Sequence, residues 1–110
     1  MIVVAYASKH GSTEGIAEHI AARLRERGSE AEAMHADDVI DLVGSEAVIV
    51  GSAIYAGSWM KEAIAFVDRH ADALTRLPVW LFSSGPLGEQ VVDEEEQPRQ
   101  LREISDRIEP

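Results

Sequence analysis

Short apolar runs alternate with amphipathic segments along this chain, and that alternation narrows the folds open to it. Ile2–Ala7, Glu30–His35, Ala47–Val50 and Val79–Phe82 have strand character, with helical patterns standing between them. Strands separated by single helices read as βαβ units, which build a mostly parallel sheet with helices on both faces. Ala47-Val48-Ile49-Val50 is apolar without interruption, as a central strand covered on both faces must be. Glu30–His35 alternates polar and apolar residues like an edge strand.

The helical segments are legible in the same way. Thr13–Arg27 carries Ile16, Ala17, Ile20, Ala21 and Leu24 on one face, with Ser12 or Thr13 as N-cap and Gly28 as the stop. Asp37-Asp38 cap a short helix bearing Val39, Ile40, Leu42 and Val43, ending at Gly44. A long helix is predicted over Ser58–Ala73, with Met60, Ile64, Val67, Ala71 and Leu74 as its inward stripe. Trp80 falls within the last strand and is expected in the core. The segment Gln97–Ile108 sets Leu101, Ile104 and Ile108 on one helical face.

The chain of 110 residues suits one domain, 1–110, with no repeat, linker or low-complexity tract. It has no cysteine, which removes disulfides, thiol nucleophiles and thiolate metal sites together. No apolar run is long enough to span a bilayer, and the apolar residues 1–5 lack the features of a signal peptide, so a cytoplasmic location is expected. A formal charge of −10 opposes binding to nucleic acid and to anionic membranes and favours basic protein partners. Asp93-Glu94-Glu95-Glu96 reads as a solvated stretch. His19, His35 and His70 lack metal-ligand spacing, so no metal site is expected, and no side chain stands out as a general acid or base.

Chemistry concentrates in the loops after the strands. Ser8-Lys9-His10-Gly11-Ser12-Thr13 ends the first strand and opens the first helix, so backbone N–H groups, hydroxyls and the positive helix end surround one point. The loop lacks the Gly-Lys-Ser/Thr ending of a nucleotide P-loop and the three close glycines of a dinucleotide fingerprint. A phosphoacceptor aspartate is absent after the third strand, where Gly51-Ser52 stands. What remains is a cradle that holds one phosphate without chemistry on it, or else an ordinary serine-rich turn before a capped helix. In a sheet of order 2-1-3-4, strands one and three adjoin at the switch point, and the Ser8–Thr13, Ser52–Gly57 and Ser83–Gly88 loops border one crevice.

The first unit then resembles the signature of the flavodoxin family: Val4, Tyr6, Ser8, Gly11, Thr13, Ala17 and Ile20 fill its aliphatic, aromatic, hydroxyl and small places, while Ala5 is smaller than usual. The segments Gly51-Ser52-Ala53-Ile54-Tyr55-Ala56-Gly57 and Phe82-Ser83-Ser84-Gly85-Pro86 resemble the branch that holds the menaquinone-dependent protoporphyrinogen dehydrogenases. The resemblance runs over about Ile2–Gly88 and implies an α/β flavodoxin-like three-layer sandwich that binds FMN. Its phosphate would rest against Ser8, His10, Gly11, Ser12 and Thr13, with Lys9 and His10 adding positive charge or standing in solvent. Its ring would lie between Ser52, Ala53, Ile54, Tyr55, Ala56 and Gly57 on one side and Ser83, Ser84, Gly85 and Pro86 on the other. Tyr55 is favoured as a ring neighbour; Trp59 is either a ring neighbour or a core anchor.

The family normally continues into a fifth strand, and this chain is expected to stop before it, whether cut short, degenerate or completed by another subunit. That would leave an open apolar edge and predicts self-association through it. The function implied is FMN-dependent electron transfer, or oxidoreduction of the protoporphyrinogen or quinone type. Its partner would be a redox protein or a small acceptor, and the acidic surface would disfavour the anionic reduced flavin. The alternative is a flavin-free module acting in regulation or assembly through the open edge.

Overall fold

A computed structural model of the chain describes residues 1–8, 11–55 and 58–84. Strand β1 (Ile2–Ala7) leads into helix α1 (Ser12–Glu26), and the chain returns through β2 (Ala31–His35), a 3-10 turn at Ala36–Asp38 and β3 (Ala47–Tyr55). A two-residue strand β4 (Ser58–Trp59), helices α2 (Lys61–Arg69) and α3 (Ala71–Leu74), and β5 (Val79–Ser84) complete it. β1 lies between β2 and β3, and β3 pairs with β5 on a parallel register, so the main sheet runs β2-β1-β3-β5. This is the order predicted from sequence, with β5 in the place of the fourth strand. β4 is the addition, an antiparallel pairing of Trp59 and Ser58 with Ile54 and Tyr55.

Strand alternation divides the core into two layers. Val3, Ala5 and Ala7 of β1 and Val48 and Val50 of β3 face α2 and α3, where Trp59, Ala63, Phe66, Val67 and Leu74 fill the layer. Val4 and Tyr6 face the other way, onto Ala17 and Ala21 of α1. Helix α1 ends as expected at Gly28, whose φ is 93°, with the Ser29 N–H donating back to the Leu24 carbonyl over 3.0 Å.

Several expectations are corrected. No helix forms over Val39–Val43. The Asp41 side chain accepts the Val43 N–H at 3.0 Å, a local turn that competes with helix. Val39 and Leu42 still turn inward, while Ile40 and Val43 are 89% and 90% exposed.

The helix predicted over Ser58–Ala73 is three elements instead. Ser58 and Trp59 are drawn into pairing with the end of β3, and the Met60 N–H goes to Ser52 Oγ, so α2 begins at Lys61. His70, at φ −109° and ψ 19°, interrupts it before α3. The third strand runs on to Tyr55, past Val50, and β5 includes Ser83 and Ser84.

Trp80 is not core. It is 58% exposed, because it shares a face with Phe82 at the far end of β5 while the layer under α1 reaches this strand only at Phe82. The segment Gln97–Ile108 and the edge beyond β5 lie outside the described residues, as does the basis for the predicted self-association.

Candidate functional site

The register of the parallel strands brings three polar ends together. Ala7 pairs with Ser52, Ser52 with Ser83, and Ala53 with Ser84, so β1, β3 and β5 finish side by side in one row. Adjacent strands lie about 4.8 Å apart, which makes the three ends near neighbours.

Ser8 and Gly11 are joined across the rim after β1. Ser8 Oγ accepts the Gly11 N–H at 2.9 Å, which leaves the Ser8 O–H as a donor. Gly11 then takes the N-cap position of α1 at φ 86°, a left-handed conformation suited to glycine, with no side-chain cap hydrogen bond. Neither Ser12 nor Thr13 is the cap; both belong to the first turn. The capping glycine puts no side chain across the positive end of the helix, and the space where its Cβ would stand is open. Ser12 is exposed. Thr13 is 0% exposed, and its Oγ1 has no hydrogen-bond partner among the described residues. Lys9 and His10 lie outside the described residues.

An unmade hydrogen bond at a buried hydroxyl costs about 1–3 kcal/mol, so one in the first turn of a helix asks for an acceptor. A phosphate monoester supplies acceptor oxygens and the negative charge that the helix end favours. The residues present therefore fit the phosphate of FMN.

In the second rim, Ser52 is fully buried. Its Oγ accepts the Met60 N–H at 2.9 Å and donates to the Ala53 carbonyl at 2.9 Å, so this hydroxyl braces the rim internally. Ala53 and Ile54 are half-buried, with Ile54 packed on the α2-side core. The Tyr55 side chain, Ala56 and Gly57 lie outside the described residues. Trp59 resolves toward the core: it is 3% exposed and donates its indole Nε1–H to Ser83 Oγ at 2.8 Å. In the third rim Ser83 is half-buried and Ser84 buried, while Gly85 and Pro86 lie outside the described residues.

Charge beside the first rim is held by Tyr6, whose OH donates to Glu14 Oε1 at 3.0 Å. Burial first, then the Glu14 hydrogen bond and the nearby charges of Glu14, Glu18 and Asp38, push the Tyr6 phenol up to about 12. His35 meets the Tyr6 ring edge-on at 5.6 Å, and its Nδ1 accepts the Asp37 N–H at 3.1 Å. Sequence reasoning missed the Trp59–Ser83 link and the Tyr6–Glu14 pair. The Tyr6–Glu14 pair had a signal, since a tyrosine closing β1 faces the first turn of α1.

His70 stands elsewhere, at the end of α2. It is 8% exposed, packs against Phe66 at 4.8 Å and leaves Nε2 unpartnered among the described residues. Burial lowers its pKa most and the Arg69 charge adds to that, against opposing contributions from the Val39 carbonyl and Asp41. With Arg76 and Leu77 it lines a cavity of about 470 Å³ beside Gly44 and Ser45, at the end of the sheet remote from the three rims. Among the described residues, no group of His, Asp and Glu could hold a metal ion, and no helix is long and apolar enough to cross a membrane.

Comparisons agree with this fold. Residues 3–107 match the family model described as a flavodoxin domain. A flavodoxin from the domain Archaea superposes with a TM-score of 0.78 at 20% identity, over 98% of this chain and 74% of that one. The two-electron reduced flavodoxin of Megasphaera elsdenii gives 0.77 at 21%, over 99% and 79%. Rubredoxin oxygen:oxidoreductase from Desulfovibrio gigas gives 0.75 at 19%, over 97% of this chain but only 27% of that protein's length. A search of curated proteins finds no match.

Proposed function

Since the chain belongs to the flavodoxin-domain family, we propose that it binds FMN at the three rims and carries electrons to a partner. The observation that carries this reading is Thr13, a fully buried hydroxyl without a partner among the described residues, in a helix turn whose N-cap, Gly11, makes no side-chain hydrogen bond. Bound FMN would supply the one- and two-electron chemistry; the protein supplies position and electrostatics. Ser8, Gly11, Ser12 and Thr13 hold the phosphate, with His10 beside it. Ser52–Gly57 and Ser83–Pro86 flank the ring. Twice as many acidic as basic residues, 20 against 10, disfavour negative charge on the reduced cofactor and favour a basic docking partner.

The narrower form of this reading is a cytoplasmic oxidoreductase acting on a quinone or a porphyrinogen. The likeness of the Gly51–Gly57 and Phe82–Pro86 segments to the protoporphyrinogen dehydrogenase branch supports it. Purified protein is expected to be yellow, to release FMN on denaturation, and to rebind it one to one. Reduced protein mixed with a soluble quinone then tests the narrower form by the rate of flavin reoxidation, and oxidised protein mixed with a porphyrinogen tests it by the rate of flavin reduction. A colourless protein that takes up no added FMN overturns the whole reading and favours a flavin-free module.

A further inference from the structure

Trp59 and Ser83 join the second and third rims directly, through the 2.8 Å bond from the indole Nε1–H to Ser83 Oγ. The two residues come from different elements. Trp59 lies in β4, folded back on the end of β3, and Ser83 is the penultimate residue of β5. The indole is packed in the α2-side core and cannot swing without opening it. On its other flank the rim is tied down by Ser52, which binds the Met60 N–H and is the register partner of Ser83. Ser52, Trp59 and Ser83 thus close a brace across the ends of β3, β4 and β5. An indole N–H can only donate, so it occupies an acceptor site of Ser83 and directs the serine O–H away from itself.

We propose that Trp59 is a positioning residue: its indole N–H fixes Ser83, and with it the gap between the ends of β3 and β5, at Ser52 and Ser83, that border the flavin ring. That gap sets the relative affinity for oxidised and reduced flavin. The inference rests on the FMN reading above. It concerns the ring alone, because the phosphate is held by the first rim, which the brace does not include.

The test begins with FMN titration of the unaltered protein. Midpoint potentials and affinities for FMN and riboflavin are then measured in Trp59→Phe, Ser83→Ala, the double variant and Ser83→Thr. Trp59→Phe keeps an aromatic filling and deletes the N–H; Ser83→Ala, at a half-buried position, keeps the test open if loss of the indole loosens the core. Each single change is expected to alter the ratio of affinities for oxidised and fully reduced flavin about tenfold, or about 30 mV for two electrons. The double variant should move no further than either single one, and Ser83→Thr should restore the original potential. The preference for FMN over riboflavin should stay constant throughout. Unmoved potentials in both single variants, or additive shifts, overturn the positioning role and leave FMN binding intact. An unaltered protein that binds no FMN overturns the FMN reading, and the positioning role with it.

Discussion

The tip of the Phe82 ring occupies the space that any side chain on Gly51, its register partner in β3, would need. The close approach locks β5 onto β3 just below the row of strand ends. Gly51→Ala is expected to destabilise the protein by about 1–3 kcal/mol, as forced overpacking does. Combining it with Phe82→Leu should recover part of the loss. Thermal or urea unfolding of the two single variants and the pair checks this, and equal losses that simply add would rule it out.

Thr13→Val should separate binding from stability. Deleting a buried hydroxyl that has no partner among the described residues removes a desolvation penalty, so the flavin-free variant should be no less stable than the original. FMN affinity should fall by about 1–3 kcal/mol, the worth of a hydrogen bond to a charged group, while riboflavin affinity is unchanged. Calorimetric titration with both ligands reads the difference. A variant that binds FMN as before would remove Thr13 from the phosphate site.

His70 gives the stability a dependence on pH. Its folded pKa is lowered below the ordinary 6.5, chiefly by burial. The unfolded chain therefore takes up a proton first as the pH falls through about 6.5, and the folded state loses ground until its own lower pKa is passed. Unfolding midpoints should drop between pH 7 and 5 by more in the original protein than in His70→Gln. Parallel pH profiles for the two would exclude His70 as the source.

The two tryptophans should respond oppositely to solvent. Trp80, more than half exposed, should emit at long wavelength and be quenched readily by iodide; Trp59, buried in the core, should not. Quenching of Trp80→Phe and Trp59→Phe assigns the two populations, and uniform quenching would contradict the burial.

The main sheet was legible because its signals are local. Ala47–Val50 could only be a covered strand, and Gly28 could only end a helix cheaply. The turn at Ser8–Thr13 was visible because hydroxyls and a glycine stand between an apolar strand and an amphipathic helix, although the same residues also suit an ordinary serine-rich turn. The short elements were hidden because their conformation is decided at long range. Ser58 and Trp59 look helical until Ser52 takes the Met60 N–H, and Val39–Val43 looks helical until Asp41 closes its own turn. Trp80 was misplaced because strand periodicity gives the face a side chain lies on, not how far a helix extends over that face.

All three rims leave from the same end of the sheet, while the turns at Gly28 and Gly44 and the approach through Pro78 sit at the opposite end. The molecule can therefore be grasped from behind. Grafting a tether at the Gly28 turn, for an electrode or a fused photosensitiser, would present the proposed cofactor crevice outward and leave its architecture undisturbed.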